Sequence, residues 1–393
     1  MQYRINPKNG ERLSALGYGC MRLTRKGGGI DQEKANRELK RALDAGVNYF
    51  DTAYIYPGSE AALGAFIREY DCRAQLNIAT KLPQYRVRRT EDFDAFFDEE
   101  LKRLQTDRVD YYLMHMMNDA ASFERLCALG LKEWVAKKKA SGQIRNIGFS
   151  FHGGTVQFKA LVDAWDWDFC QIQLNYVDER SQAGVEGLDY AHDKGLPVII
   201  MEPLRGGKLT VGLPKEAAKV FEQAQPKRTP ADWGLRWLWN HEAVTVVLSG
   251  MNDVSQVDEN CRLASDCLPN ALTDAELSVY DRVRQAIARG VRVGCTGCGY
   301  CQPCPKGVAI PTCFAAYNAS YSDGLFTGMK EYMMCTTLRK VRSNAGLCVK
   351  CGRCEQHCPQ HIAIRDELDK VKRRLENPAY KIAAAVVPKV MKY

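Results

Sequence analysis

Eight cysteines near the end of the chain fall into two runs spaced like metal ligands. Cys295, Cys298, Cys301 and Cys304 are each separated by two residues, and Pro305 follows the last. Cys348, Cys351, Cys354 and Cys358 repeat the pattern with three residues in the last gap, and Pro359 follows. Three thiolates at two-residue spacing wrap a loop around one cubane cluster, and a fourth beside proline ligates the other cluster where two are present. The second run has the full spacing, and the first is one residue short in its last gap. The expectation is two [4Fe–4S] clusters with these eight cysteines as the metal ligands, and hence one-electron chemistry. Zinc is the competing occupant, since paired cysteines at this spacing also bind it. A disulfide framework fits poorly, because the start, MQYRINPKNG, has no apolar signal core and a chain of 393 residues needs no stapling. Ten of the 16 cysteines lie between 295 and 358. Cys313 and Cys335 lie between the two runs as alternative ligands. Cys20, Cys72, Cys127, Cys170, Cys261 and Cys267 read as inert, buried thiols.

A second set of residues points to different chemistry. Asp51 and Tyr56 follow a short apolar run, Lys81 follows Ile78-Ala79-Thr80, and His115 follows Tyr112-Leu113-Met114. A phenol with an ordinary pKa near 10 gives up its proton at neutral pH only if something stabilises the phenolate. An ammonium does so, a carboxylate holds the ammonium in place, and an imidazole can orient a carbonyl oxygen. Together the four could protonate a carbonyl oxygen as hydride arrives at carbon. Singly each has a plainer role: Asp51 as a turn cap, Tyr56 as a loop aromatic, Lys81 as a solvated charge, His115 as a core histidine.

The elements that would position them alternate strand with helix. Strand signals are Ala15–Cys20, Asn48–Asp51, Asn77–Thr80, Tyr111–Met114, Ile147–Ser150, Phe169–Gln173, Val198–Met201 and Thr245–Leu248. Helical patterns fill the gaps, among them Asp31–Ala45, Thr90–Leu104, Glu124–Ser141 and Ser181–Lys194. Eight such alternations predict an α/β fold, a (β/α)8 TIM barrel, with its active site at the C-terminal strand ends. A small C-terminal ferredoxin-like iron–sulfur domain follows. The expected division is 1–290 for the barrel and 291–393 for the cluster domain with its helical tail. Thr273–Arg289 reads as a closing helix and Gly290–Gly294 as the linker. Arg365–Pro378 carries Leu368, Val371 and Leu375 at helical spacing, and is expected to pack back on the barrel.

The first 265 or so residues resemble the aldo-keto reductases. The resemblance is carried by Asp51-Thr52-Ala53-x-x-Tyr56-x-x-Ser59-Glu60-x-x-Leu63-Gly64, then Thr80-Lys81 and the strand-end His115. The whole chain resembles the branch of that family with a C-terminal ferredoxin-like dicluster domain. The resemblance implies that Asp51, Tyr56, Lys81 and His115 form a catalytic tetrad: tyrosine as general acid, lysine and aspartate tuning it, histidine orienting substrate. It implies a nicotinamide dinucleotide, NADP or NAD, held by Ser150, Gln173 and Met201. Pro203, Leu204, Arg205, Gly207 and Lys208 would form the loop over the pyrophosphate. Ser249, Gly250, Met251, Gln256 and Asn260 would take the adenosine end. The chain departs from the family in places. Phe151 and His152 follow Ser150 where an asparagine is usual, Met201 replaces a stacking aromatic, and Gly250 and Gln256 stand where NADP-specific members place lysine and arginine. Arg22 could meet an anionic substrate or be a surface charge. Trp165 and Trp167 read as packing residues.

Hydrophobic content of 46%, charged content of 26% and a net charge of +8 are ordinary for a globular protein, and no basic stripe with interleaved aromatics points to nucleic acid. The longest apolar run near the end, Ile382–Pro388, is far too short to span a bilayer. The expectations are a cytoplasmic oxidoreductase reducing an aldehyde or ketone, or the reverse, with neither nucleic acid nor membrane as partner. Its partners would be a small carbonyl or alcohol and an electron-transfer protein such as a ferredoxin or flavodoxin. Nicotinamide passes electrons in pairs and cubane clusters pass them singly. Three arrangements meet that mismatch: structural clusters, a flavin bound without a short signature, or single-electron reduction of the carbonyl fed by the clusters. The rival class is a non-catalytic electron-transfer or redox-sensing subunit with a nucleotide-binding barrel.

Overall fold

The computed structural model describes residues 1–180, 182–322, 324–337 and 342–390. The chain forms two compact units, Met1–Gly206 with Ala231–Leu272 and Gly207–Pro230 with Thr273–Tyr393.

The first unit is a closed barrel of parallel strands. In chain order they are β1 (Leu16–Gly19), β2 (Tyr49–Asp51), β3 (Asn77–Leu82), β4 (Val109–Met117), β5 (Ile144–Phe151), β6 (Phe169–Gln173), β7 (Val198–Met201) and β8 (Val244–Ser249). Neighbours pair in sequence, and β8 closes on β1. Each was legible as a short apolar run, because a parallel strand is covered on both faces. Tyr49, Tyr111 and Phe169 fill the barrel interior edge to face, with ring centroids 5.0 and 4.9 Å apart. Gly17 and Gly148 leave room for this layer, since a Cβ would lie 2.7 Å from Leu248 at the first and 2.5 Å from the Phe169 carbonyl at the second.

Two hairpins escaped the sequence reading, Tyr3–Ile5 with Arg12–Ser14 and Arg25–Lys26 with Gly29–Ile30. The first serves the barrel directly: Asn6 and Glu11 in its loop hydrogen-bond the Tyr111 hydroxyl at 3.2 and 2.6 Å. The helix expected over Glu124–Ser141 is two helices, Ala120–Ala128 and Leu131–Ala140. The break falls at Gly130, whose φ of +88° suits glycine alone.

The second unit is helical. Its core gathers Val308, Ile310, Phe314, Tyr332, Leu368, Val371 and Leu375, with six of the eight run cysteines packed against it. The helix Asp274–Gly290 opens with a capping box between Thr273 and Glu276. The helix Ile364–Leu375 spends its apolar face here, so the expected packing of this stretch on the barrel gives way to packing within its own unit.

Candidate functional site

Asp51 is the last residue of β2, Lys81 the penultimate residue of β3, and His115 lies near the end of β4. All three are at most 5% exposed. Lys81 Nζ donates to Asp51 Oδ1 and Oδ2 at 2.6 and 2.7 Å and to the Thr52 carbonyl at 2.6 Å, which uses all three of its protons. The same nitrogen lies 5.3 Å from the Tyr56 ring centroid. The Tyr56 and His115 rings meet edge to face at 6.0 Å. The four expected residues therefore come together at one end of the barrel.

The loop carrying Tyr56 is held from beneath. Thr52 Oγ1 and Ser59 Oγ are 2.7 Å apart, and Ser59 donates to the Cys20 carbonyl. Thr80 Oγ1 and Arg103 Nη1 both donate to the buried carboxylate of Glu60. A Cβ at Gly64 would stand 2.4 Å from the Arg103 carbonyl, so Gly64 permits the close approach of helices Ser59–Tyr70 and Glu91–Leu104. Asp51, Thr52, Tyr56, Ser59, Glu60 and Gly64 of the motif thus each have a physical task. His115 sits where the pairing of β4 with β5 slips between Met114 and Met117. Met116 adopts a left-handed φ of +59°, and its N–H donates to Ser150 Oγ at 2.9 Å. Such a bulge re-aims side chains, and the strained residue costs about 1–3 kcal/mol.

Burial raises the Tyr56 phenol, so it keeps its proton across the neutral range, while the positive charge of Arg22 works in the opposite direction. Burial and the Lys81 charge push His115 well below the usual imidazole range, and its Nδ1 is buried without a hydrogen-bond partner. His152 is likewise lowered, to about 4, mainly by burial. The pocket thus presents a phenol that keeps its proton and a neutral imidazole beside the Lys81–Asp51 ion pair.

The residues expected to hold a dinucleotide fall into separate roles. Gln173 is fixed between Asp178 and Gln182, and Gln182 also meets His152 Nδ1 at 3.2 Å. Asp178 and Gln182 carry no motif and escaped the sequence reading; only their position shortly after a strand end could have marked them. Arg205 is committed to Asp178 through Nε at 2.6 Å and through Nη2. Met201 accepts from Gln171 Nε2 at 3.6 Å, Pro203 is buried, and Leu204 packs over Gly234. Ser249 accepts from Asn260 at 3.1 Å, Met251 is buried with its carbonyl on the Tyr18 hydroxyl, and Gln256 caps the Asn252 N–H. Gly206 and Gly250 both leave open space that the Arg22 side chain enters. Gly207 and Lys208 belong to the second unit. There Lys208 Nζ lies against Gly297, where a Cβ would be 2.7 Å away. The buried, unpartnered His115 Nδ1 is a polar atom at the tetrad that a bound nicotinamide or substrate could satisfy.

The run cysteines sort into two sets around two cavities. Cys304, Cys348, Cys351 and Cys354 line one of them. Cys295, Cys298, Cys301 and Cys358 line the other. Each run thus gives three thiols to one cavity and its proline-flanked cysteine to the other. Among the described residues no three His, Cys, Asp or Glu side chains converge on one metal ion. Four thiols around each cavity fit a polynuclear cluster. Burial and the neighbouring thiols push Cys301 up to about 12, a proton that cluster binding must displace. Cys313 is fully buried and lines neither cavity, with its thiol toward the Ser343 carbonyl. The Cys335 side chain lies outside the described residues. Among the described residues no helix is long and apolar enough to cross a membrane.

Comparison with known proteins agrees with this geometry. Residues 294–363 match the 4Fe-4S dicluster domain. L-galactose dehydrogenase of Arabidopsis thaliana is 26% identical over 73% of this chain and 95% of that protein. L-glyceraldehyde 3-phosphate reductase of Escherichia coli K12 is 27% identical over 66% of this chain and 86% of that protein. The holo form of aldo-keto reductase AKR11C1 from Bacillus halodurans shares the fold, with a TM-score of 0.60 at 24% identity over 72% of this chain and 96% of its own. Residues 15–271 match the Aldo/keto reductase family, and with that match covering well over half its length the chain belongs to this family of oxidoreductases and carries a 4Fe-4S dicluster domain later in its sequence.

Proposed function

We propose that the barrel interconverts a small aldehyde or ketone and its alcohol with a nicotinamide dinucleotide, and that the second unit holds two [4Fe–4S] clusters. The observation that carries the first part is the Lys81 ammonium, bound by Asp51 and Thr52 and lying 5.3 Å from the Tyr56 ring. When bound, the nicotinamide supplies or accepts the hydride. Tyr56 keeps its proton until a substrate oxygen reaches it, then donates it as charge builds on that oxygen. The Lys81 ammonium stabilises the phenolate left behind, and the Asp51 carboxylate keeps it aimed. His115, neutral at working pH, offers a ring N–H that orients the same oxygen. Gln173, fixed by Asp178 and Gln182, together with Ser150, would hold the carboxamide of a bound nicotinamide. Solvent returns the proton to Tyr56, and the reverse sequence oxidises the alcohol.

Support for the second part is the sorting of eight thiols into two sets of four. The clusters supply one-electron exchange, with a ferredoxin or flavodoxin as the class of partner. Both parts are tested on anaerobically purified protein. Tyr56→Phe removes the proton donor and lowers carbonyl reduction about 10²- to 10⁴-fold, with nucleotide affinity within twofold of wild type. Unchanged turnover would show that the tetrad does not carry the reaction. Iron and sulfide near four each per chain would overturn the two-cluster reading.

A further inference from the structure

Two of the cations that the sequence offered for binding phosphate are already placed. Arg205 is neutralised by Asp178, and Lys208 lies beside Gly297 in the second unit. A third, Arg22, ends the short turn Cys20–Arg22 after β1. Its side chain runs between Gly206 and Gly250. A Cβ on Gly206 would lie 2.4 Å from Arg22 Nη2, and one on Gly250 3.2 Å from Arg22 Cδ. The path of the guanidinium thus depends on two missing side chains, and Gly206 has the further reason of a φ of +63°. Arg22 is exposed and makes no hydrogen bond or ion pair among the described residues. Its charge nonetheless acts on Tyr56, which places it on the tetrad's side of the barrel. A guanidinium is a planar fork of donors that matches a phosphate with two parallel bonds.

We propose that Arg22, seated between Gly206 and Gly250, is the anion-binding residue of the barrel mouth and takes a phosphate group of the dinucleotide or of the substrate. This rests on the reductase reading above. A residue that supplies two charge-assisted hydrogen bonds to a phosphate is worth about ten- to a hundredfold in affinity. The test titrates NADPH and NADH into wild type, Arg22→Ala and Arg22→Lys protein with clusters intact, then compares KM for glyceraldehyde 3-phosphate and glyceraldehyde. Equal weakening of both nucleotides in Arg22→Ala assigns the pyrophosphate, and weakening of NADPH alone assigns the 2′-phosphate. A raised KM for the phosphorylated aldehyde alone assigns the substrate's phosphate. In each case Arg22→Lys recovers part of the loss, because it keeps the charge without the fork. All constants within twofold of wild type overturn the inference while leaving the reductase reading intact. A wild-type protein that binds neither nucleotide overturns both.

Discussion

Replacing the proline-flanked cysteines one at a time should break the clusters crosswise. Cys304 lines a cavity with Cys348, Cys351 and Cys354, not with the three cysteines that precede it. Cys358 lines the cavity of Cys295, Cys298 and Cys301, although at least 56 residues of chain separate it from them. Two reference variants, Cys295→Ala and Cys348→Ala, each damage a cluster whose identity is not in dispute, since each sits within its own triplet. Cys304→Ala should then reproduce Cys348→Ala, and Cys358→Ala should reproduce Cys295→Ala. The magnitude follows from four thiols per cavity. Wild type should hold about eight irons, and each variant about four, or about seven where a three-iron remnant survives. The assay is iron and sulfide analysis with EPR of dithionite-reduced, anaerobically purified protein, and the double variants decide it. Cys304→Ala with Cys348→Ala should lose no more than one cluster, whereas Cys304→Ala with Cys295→Ala should lose both. If the first pair abolishes both signals and the second spares one, each run ligates its own cluster and the cavity assignment is refuted.

Two further outcomes test the barrel. Lys81→Met leaves Asp51 buried without its partner, which should cost about 3–5 kcal/mol of stability. Burial already raises the Asp51 carboxyl and the Lys81 ammonium opposes that rise, so losing the lysine raises it further. A raised folded-state pKa means that the variant is least impaired below the unfolded value near 3.9 and loses stability as pH climbs through the raised one. Thermal unfolding at pH 5 and pH 8 should therefore show the larger deficit at pH 8, and a deficit independent of pH would contradict this reading. Gly64→Ala places a Cβ 2.4 Å from a backbone carbonyl that cannot swing away. Overpacking of about 1–3 kcal/mol should exceed the helix-propensity gain of about 1 kcal/mol from alanine. The measurements are a lowered unfolding midpoint and a raised KM from the displaced Tyr56 loop, and a stabilised variant would rule the clash out.

What could be read from the sequence was what local spacing alone determines. The eight barrel strands are buried on both faces, so each appears as an apolar run whatever its neighbours. The cluster cysteines are legible because loop geometry around a cluster sets the two-residue gaps. The hairpin Tyr3–Ile5 with Arg12–Ser14 was illegible because its strands are three residues each, and most of their residues are polar or exposed. The position of His115 in a bulge depends on the left-handed Met116, a conformation nothing in methionine announces.

The cations show where local reading stops. Arg205 and Lys208 sit in a glycine-rich loop and, by sequence, are the natural partners for phosphate. What disposes of Arg205 is Asp178, 27 residues earlier, and what lies beside Lys208 is Gly297, 89 residues later. Neither relation has a local signature, because an ion pair or a close approach is set by tertiary geometry rather than by spacing. The same geometry moves attention to Arg22, which in the sequence is one of many basic residues and in the fold is a guanidinium threaded between two glycines. Residue type and spacing are sufficient to name the chemistry of the tetrad and of the clusters. Which positive charge meets the ligand's negative one follows from which positive charges the protein has already neutralised within itself.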